Sequence, residues 1–289
     1  MPTKLLVADC GATSGKWAYI DRTSGSVVRF RTGPVNASLH DIGRIAEEMA
    51  RAIEQCPAPP SAICIYAAGA VGEGKSLLVE TATAVSGLDS CHITVDDDLT
   101  GAARALLGDR PGIVCILGTG SNSCLWDGRG ISRHIRPMGY ILGDEGSGAA
   151  LGAALLRAAL RDLLPDDLKA DWEADYPGLD YASVVGAVYR HHKGSGYIAS
   201  FVPFIKKHIG HPAIHRIVAD ELGRFIDNVL SAYPEAREVN PCYTGGIAST
   251  FEAQLRVAST ERGIGVGLVA ANPLDMLIER IMEEGTEKA

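Results

Sequence analysis

Two short polar turns that follow apolar segments carry residue types that bind phosphate. The first runs from Asp9 to Lys16 (DCGATSGK) after KLLVA, and the second runs from Gly118 to Ser121 (GTGS) after GIVCIL. Glycine-containing turns present backbone N–H groups to phosphate oxygens, and the threonine and serine hydroxyls add further donors. A carboxylate at the end of a strand, such as Asp9, can orient water on Mg²⁺. Either turn alone could be an ordinary hairpin, but the pair is a more specific sign of a nucleotide.

A third glycine-rich segment competes for the role of phosphate site. Residues 69–76 (GAVGEGKS) match the P-loop pattern, in which Lys75 would reach the β- and γ-phosphates and Ser76 would hold Mg²⁺. A P-loop here would leave the other two turns without a role. It would also leave only one short helix between the phosphate loop and HITVD, the strand that would bind the metal. We therefore expect Lys75 to lie at the start of a surface helix, and Lys75→Ala to retain most ATP affinity and turnover.

Two acidic groups could act on a bound substrate. Asp96, Asp97 and Asp98 end the predicted strand HITV and open a helix, where one of them can serve merely as the N-cap. Three consecutive carboxylates repel one another, which suggests a functional reason for the group. Asp144 lies in GDEGS between apolar runs, where a carboxylate needs a partner such as a ligand hydroxyl or a metal. A cap for the helix that follows is the alternative for Asp144.

The glycine pair Gly245-Gly246 follows the apolar segment CYT. Glycines at this point let a flat ligand such as a purine lie against the backbone. The entry turn of a helix would explain the pair equally well.

Strands and helices alternate around these residues. Strands are predicted at 4–9, 16–20, 26–32, 62–69 and 92–96, and helices at 39–53, 76–85 and 99–107. The order of three strands joined by tight turns begins again at residue 113, before a long helix that starts near Ser147 and a mostly helical stretch over 150–235. A strand over 238–246, a helix from Ser249 and a final helix with Asn272 as N-cap complete the pattern. The pattern predicts an α/β fold with two related lobes.

Composition limits the compartment and the partners. The 289 residues are 46% hydrophobic and 21% charged, as in a soluble globular protein of one large or two modest domains. A net charge of −8 argues against broad contact with nucleic acid or an anionic membrane. No apolar stretch approaches the ~20 residues of a membrane-spanning helix, and the first residues are too polar for a signal peptide. The seven cysteines contain no Cys-x-x-Cys pair, so we expect reduced, buried thiols in the cytoplasm without a zinc or iron–sulfur site.

The chain resembles the N-acetylglucosamine kinase and BadF/BadG/BcrA/BcrD ATPase family of the actin-like, hexokinase and Hsp70 superfamily, and most closely a short bacterial branch of amino-sugar kinases. The resemblance covers nearly the full length and is carried by ADCGATSGKW (8–17), GPVNAS (33–38), YAAGAV (66–71), VDDDLTGAARALLG (95–108), GIVCILGTGSNSCLWDG (112–128), MGYILGDEGSGAALG (138–152) and CYTGGIAS (242–249). It implies a two-lobed ribonuclease-H-like fold with ATP in the cleft between the lobes. Residues 1–107, joined by the helix 272–289, would form the N-terminal lobe, and residues 108–271 the C-terminal lobe. A homodimer is also implied.

The resemblance assigns roles to single residues. Asp98 matches the catalytic aspartate, because Leu-x-x-Ala-Ala follows it as in the family, although the acids at 96 and 97 replace the commoner Asn-Asp pair and leave Asp97 as the other candidate. Asp9 would hold Mg²⁺ through water. The residues implied in ATP binding are Asp9, Gly11, Thr13, Ser14, Lys16, Gly118, Thr119, Gly120, Ser121, Gly245 and Gly246. Those implied in sugar binding are Asn36, Asn122 and Asp144.

The activity implied is transfer of phosphate from ATP, with Mg²⁺, to the 6-hydroxyl of N-acetylglucosamine. Glucosamine and N-acetylmuramate remain alternatives, because one or two pocket contacts can change a preference. An ATP-driven electron-transfer activator of the BadF type would need an iron–sulfur cluster between two subunits, which the scattered apolar cysteines do not favour. A sugar-sensing module without turnover is the third alternative, and the presence of Asp98 argues against it.

Overall fold

A computed structural model describes residues 2–38, 40–88, 91–190 and 194–286. The chain divides into two compact units. Unit 1 comprises residues 1–111, 126–131 and 272–289, and unit 2 comprises residues 112–125 and 132–271. None of the helices in the described ranges combines the length and the apolar character needed to cross a membrane.

The strands, in chain order, are β1 (Lys4–Cys10), β2 (Gly15–Asp21), β3 (Ser26–Thr32), β4 (Ala62–Ala67), β5 (His92–Asp97), β6 (Gly112–Leu117), β7 (Ser121–Trp126), β8 (Ile131–Ile135), β9 (Cys242–Thr244) and β10 (Val269–Ala270). The α-helices are α1 (Ile42–Glu54), α2 (Glu73–Ser86), α3 (Asp98–Leu106), α4 (Gly139–Leu142), α5 (Gly148–Leu160), α6 (Asp166–Asp175), α7 (Tyr181–Val185), α8 (Gly194–Ala199), α9 (Val202–Lys207), α10 (Pro212–Asn228), α11 (Gly246–Thr250), α12 (Glu252–Thr260) and α13 (Pro273–Thr286). A π-helical turn (Gly186–Arg190) and two 3₁₀ turns (Leu230–Ala232 and Pro234–Arg237) complete the described elements.

Unit 1 is built on a five-stranded sheet in the order β3-β2-β1-β4-β5. Strands β1, β2 and β3 are antiparallel neighbours, whereas β4 and β5 run parallel to β1. In this register Asp9 pairs with Tyr66, and Tyr66 pairs with Asp96. The carboxyl ends of three parallel strands therefore meet at one edge, which is where ligands bind in open α/β sheets.

Helices cover both faces of the first sheet. Leu6, Ala8 and Cys10 of β1 pack in a core with residues of α1 and α2, while Leu5 and Val7 pack in another with residues of α3 and α13. This division follows from the alternation of side chains along a strand. Asp9 is two residues after Val7, so by the same alternation its side chain lies on the face of the sheet that α3 and α13 cover.

Unit 2 repeats the strand order of unit 1, as β10-β9-β6-β7-β8. In both sheets the first strand in sequence is central, the next two lie on one side of it and the last two on the other. Strand β9 runs parallel to β6, and β10 runs parallel to β9. Aromatic and aliphatic side chains from the sheet and from α5, α9 and α10 form one core, including Leu151, Phe204, Phe225 and Tyr243. The predicted α/β fold with a repeated strand order is confirmed.

Several predicted bounds differ from the structure, most of all in the segment after residue 237. The strand expected over 238–246 is confined to Cys242–Thr244, because Pro241 has no N–H to donate to a sheet and residues 234–237 form a 3₁₀ turn. The helix expected from Ser249 begins at Gly246 and is interrupted at Phe251, where φ is −114° and ψ is 33°. The first helix begins at Ile42 behind its N-cap Asp41 rather than at residue 39, and Leu39 lies outside the described residues.

Candidate active site

The first predicted phosphate turn closes the hairpin between β1 and β2. Asp9 pairs with Lys16 in the strand register, and Gly11 N donates to Ser14 O at 3.1 Å. Lys16 Nζ lies 3.7 Å from Asp9 Oδ2 and donates to Asn272 Oδ1 at 3.3 Å. Burial raises the pKa of the Asp9 carboxyl, and the charge and hydrogen bond of Lys16 partly offset the rise. The turn thus places a carboxylate and an ammonium group beside its small, hydroxyl-bearing tip.

The three consecutive carboxylates at the end of β5 have different surroundings. Asp96 lies between two cations, with Lys75 Nζ 2.6 Å from Oδ1 and Arg104 Nη1 3.3 Å from Oδ2. Asp97 is the N-cap of α3, and its two oxygens accept from the N–H and the hydroxyl of Thr100, both at 2.8 Å. Asp98 is the first residue of α3 and, within the described part of the chain, pairs with no cation.

Asp98 has the most perturbed carboxyl group of the three. Burial raises the pKa of Asp98 to about 7, and the negative charges of Asp9 and Asp97 add to the rise. Backbone N–H groups at the start of α3 act in the opposite direction. The charge of Asp9 acts on Asp98 because the end of β1 and the start of α3 lie at the same edge of the unit 1 sheet.

The second predicted phosphate turn lies against the N-terminus of α5 in unit 2. Gly148 N donates to Gly118 O at 2.8 Å, and Ala149 N donates to Thr119 O at 3.0 Å. A third bond, from Gly118 N to Gly120 O at 2.9 Å, closes the turn. The described residues offer no acceptor for the N–H groups of Thr119 and Gly120, so these two donors are available to a ligand.

Asp144 and Gly245 both pack against this second turn. Asp144 Oδ1 accepts from Ser121 N at 3.4 Å, and a Cβ added at Gly120 would lie 2.8 Å from Asp144 Oδ2. Gly245 has a φ of 110°, and a Cβ there would meet the carbonyl oxygen of Leu117. Unit 2 therefore brings together three segments that the sequence singled out separately. Burial raises the pKa of Asp144, and the Ser121 N–H partly offsets the rise.

Asn36 and Asn122 lie in different units. Asn36 is buried after β3, its Oδ1 accepts from Ser38 N at 2.9 Å, and the loop after β4 packs against it through Gly69. Asn122 Oδ1 accepts from Ser123 N at 2.9 Å and lies 2.8 Å from His134 Nε2. Alternation along β7 places Asn122 on the sheet face opposite Ser123.

His134 and the bond from Lys16 to Asn272 were not anticipated from the sequence. The register of a predicted β7–β8 hairpin could have indicated His134 as a cross-strand neighbour of Asn122. No local signal connects Lys16 to Asn272, because the two are 256 positions apart.

The P-loop-like segment is folded on itself. Val71 N donates to Gly69 O at 2.9 Å and Gly74 N to Val71 O at 3.1 Å, so this backbone is engaged in turns. Lys75 lies in the first turn of α2, with its side chain 47% exposed and its ammonium group paired with Asp96. This placement agrees with the expectation of a lysine at the start of a surface helix.

The fold, with the relative described next, defines the class of protein as an ATP-dependent phosphotransferase. The putative N-acetylglucosamine kinase of Porphyromonas gingivalis has a solved structure that is 34% identical, with a TM-score of 0.89, over 96% of this chain and 99% of that one. The chain therefore belongs to the N-acetylglucosamine kinase and BadF/BadG/BcrA/BcrD ATPase family.

Two more distant structures share the fold. The putative N-acetylglucosamine kinase of Chromobacterium violaceum is 20% identical with a TM-score of 0.72, over 96% of this chain and 98% of that one. A ROK family glucokinase from Streptomyces griseus, solved with glucose and AMPPNP, is 16% identical with a TM-score of 0.55, over 94% and 97% of the two chains. No family model matches the chain, and none of the curated proteins matches it in sequence.

Proposed function

We propose that this protein transfers the γ-phosphoryl group of ATP to the 6-hydroxyl of N-acetylglucosamine. The observation that carries the proposal is Asp98, a carboxylate at the start of α3 that pairs with no cation in the described residues and shares its surroundings with Asp9. A sugar hydroxyl is a weak nucleophile until a base within hydrogen-bond reach accepts its proton. The family membership and the name of the Porphyromonas gingivalis relative support the substrate.

Asp98 is a better candidate for the base than Asp97. Both oxygens of Asp97 already accept hydrogen bonds from Thr100 in capping α3. Ionised Asp98 takes the proton of the sugar hydroxyl as the new oxygen–phosphorus bond forms and the bond to ADP breaks. A pKa of about 7 keeps a useful fraction ionised at neutral pH while leaving the carboxylate basic enough to accept a proton.

The proposed phosphate contacts of ATP lie in the two polar turns. Unit 1 supplies Gly11, Thr13, Ser14 and Lys16, and unit 2 supplies Gly118, Thr119, Gly120 and Ser121. Backbone N–H groups and hydroxyls aimed at the transferring group stabilise the charge that develops on it. Gly245 packs closely against the backbone of Leu117, whereas a Cβ at Gly246 would meet no atom within 4 Å, which suits a site where a purine lies against main chain.

The residues of unit 1 fit a magnesium ion held mainly by water and phosphate. Asp9 has a partly buried carboxylate, 16% exposed, at a strand end, and Lys16 stays 3.7 Å from it rather than forming a short ion pair. Mg²⁺ retains several waters and binds through one or two carboxylates, so the carboxylate of Asp9 suits this ion. Asp9 would hold the ion through water, and the ion would neutralise charge on the phosphates.

Asn36, Asn122 and Asp144 are the proposed sugar contacts. Asn36 and Asp144 are buried, with 4% and 8% of their surface exposed. If a substrate lacks the group that one of these side chains would bind, the side chain is left without that partner, at a cost in binding free energy. An unpaired buried polar group costs roughly 1–3 kcal/mol, equivalent to about 5- to 150-fold in kcat/KM. We expect N-acetylglucosamine to be preferred to glucose by a factor in this range.

A panel of sugars with ATP and Mg²⁺ tests the proposal. N-acetylglucosamine, glucosamine, N-acetylmuramate and glucose are compared by ADP release, and the phosphorylated oxygen is identified by phosphorus–proton correlation in the product. We expect the highest kcat/KM for N-acetylglucosamine and a product phosphorylated at oxygen 6. Equal kcat/KM for glucose, a preference for another amino sugar, or phosphate on a different oxygen would each contradict the proposal.

A further inference from the structure

Asp96 joins two helices to β5 through its carboxylate. Lys75 Nζ, in the first turn of α2, lies 2.6 Å from one oxygen, and Arg104 Nη1, in α3, lies 3.3 Å from the other. Asp96 is itself next to the last residue of β5 and two residues before Asp98. The three charged groups therefore tie the end of a strand to the helices on either side of it in sequence.

The same arginine also attaches α3 to β4. Arg104 Nη1 donates to Tyr66 Oη at 3.0 Å, and its guanidinium carbon lies 5.8 Å from the centre of the Tyr66 ring. Gly101 lets the helix approach the ring closely, because a Cβ there would lie 2.6 Å from Tyr66 Cγ. Tyr66 is in turn the register partner of Asp96 in the sheet. Helix α3 is thus held against two neighbouring strands by contacts that converge on Asp96.

We propose that Asp96, together with Lys75 and Arg104, is a positioning residue that holds the start of α3 so that Asp98 stands where it can accept the substrate proton. This inference rests on the proposed function, because it assigns Asp98 the role of base. It also gives Lys75 a role that its P-loop-like sequence does not indicate. Proton transfer depends steeply on position, since a displacement of about 1 Å can cost about 10²-fold in rate.

A role limited to stability predicts a different outcome. Lys75 and Arg104 are 47% and 46% exposed, and ion pairs at such sites contribute little to the free energy of unfolding. Loss of the network should therefore lower the rate much more than the stability. The charged groups near Asp98 are Asp9 on β1 and Asp97 at the cap of α3, and Lys16 lies beside Asp9. None of the variants below changes these three groups.

Steady-state kinetics provide the first test. We expect Asp96→Ala to lower kcat about tenfold with both KM values within about twofold, Lys75→Ala to lower kcat about two- to threefold, and Lys75→Arg to restore it. Lys207→Ala is the matched control, because Lys207 pairs with Asp175 at 2.8 Å and is 52% exposed in unit 2. Unchanged kcat in Asp96→Ala, or KM values that rise as much as kcat falls, would overturn the proposal.

A second test needs no turnover. Asp98→Asn is expected to raise the folding equilibrium constant at pH 8. We measure this gain twice, once in the wild-type background and once in the Lys75→Met background. In Lys75→Met the start of α3 is no longer held by the ion pair, so Asp98 can reach water. We therefore expect the gain in Lys75→Met to be smaller than in the wild type by about threefold or more. Loss of a nearby positive charge alone would enlarge the gain instead, because an ionised Asp98 would then be harder to accommodate. An equal or larger gain in Lys75→Met contradicts the positioning role.

The two tests separate this inference from the proposed function. Suppose that the wild type phosphorylates no sugar, but that Lys75→Met still reduces the gain produced by Asp98→Asn. This result would refute the kinase assignment and would leave Asp96 as the residue that positions Asp98. Normal phosphorylation of N-acetylglucosamine without coupling would refute the positioning role alone.

Discussion

The carboxylate of Asp144 rests against the Cα of Gly120, where a Cβ would come within 2.8 Å of Oδ2. Both residues belong to the proposed ligand site of unit 2, and the backbone of each is hydrogen-bonded. Asp144 has a φ of 58° and donates its N–H to Pro137 O at 3.1 Å, while Gly120 closes the turn through its carbonyl. The second phosphate turn and a proposed sugar contact are therefore coupled through this one close approach.

Gly120→Ala should uncouple them. The added methyl group must displace either the Asp144 carboxylate or the turn, and we expect kcat/KM to fall about tenfold or more, since small displacements of positioning groups cost large factors in rate. Gly130→Ala is the matched control, because a Cβ at Gly130 has no atom within 4 Å. Steady-state kinetics on both variants check the prediction, and equal activity in the two would contradict it.

Asp98→Asn should abolish turnover while leaving ligand binding largely intact. The amide keeps the shape of the carboxylate but cannot accept a proton, and loss of a general base typically costs ~10²–10⁴-fold in kcat. Binding of ATP and sugar is followed by calorimetry. Asp97→Asn is the control, because asparagine caps a helix as well as aspartate does and should retain most of the rate. The opposite pattern, an active Asp98→Asn and an inactive Asp97→Asn, would identify Asp97 as the base.

The stability of the protein should fall with rising pH because of Asp98. Its pKa is raised from 3.8 to about 7 on folding, so the native state holds this proton more tightly than the unfolded chain. The contribution to stability is fully present below pH 3.8 and is lost as the pH rises through about 7. Asp98→Asn lacks this loss. At about 1.4 kcal/mol per pKa unit, the variant should exceed the wild type at pH 8 by up to about 4 kcal/mol.

Urea unfolding at pH 4 and pH 8 measures this difference. The advantage of the variant at pH 8 should shrink or vanish at pH 4, where Asp98 is protonated in the folded wild type. A pH-independent difference between the two proteins would show that Asp98 ionises as an ordinary surface carboxylate.

Lys75 and the two polar turns should respond very differently to substitution. In a true P-loop the lysine contacts the β- and γ-phosphates, so its loss would cost several orders of magnitude in activity. We expect Lys75→Ala to keep its KM for ATP within about twofold and to lose at most about threefold in kcat, since its ammonium group is engaged with Asp96. Asp9→Ala and Thr119→Val should instead lose much of the ATP affinity. An inactive but folded Lys75→Ala beside an active Asp9→Ala would refute the assignment of the phosphate turns.

Most strands of the two sheets could be predicted from sequence, because each is an apolar or alternating run bounded by turn residues. Strand β3 has the predicted bounds, 26–32, and β1 differs by a single residue. Strand β10 was not predicted, since two residues carry no periodicity that would distinguish them from a loop. The extent of β9 depended on Pro241, whose missing N–H matters only once the neighbouring strand is known.

Sequence could place the candidate site residues on their elements but could not distinguish their individual environments. Three aspartates in a row look alike, and their separate surroundings arise from where α3 begins and from Lys75 and Arg104, which lie 21 and 8 positions from Asp96. The proximity of Asp144 to Gly120 likewise depends on backbone conformation, because Asp144 adopts a left-handed φ that its residue type does not require.

Unit 1 is assembled from the two ends of the chain. Leu274, Leu277 and Ile278 of α13 pack with Leu5 and Val7 of β1, and Asn272 accepts the hydrogen bond from Lys16 beside Asp9. During synthesis β1 and β2 are made before unit 2, and the helix that covers one face of their sheet is made after it. The hydrogen bond from Lys16 to Asn272, beside Asp9, can therefore form only once all of unit 2 has been made. Shortening α13 should therefore impair nucleotide binding at residues more than 250 positions away.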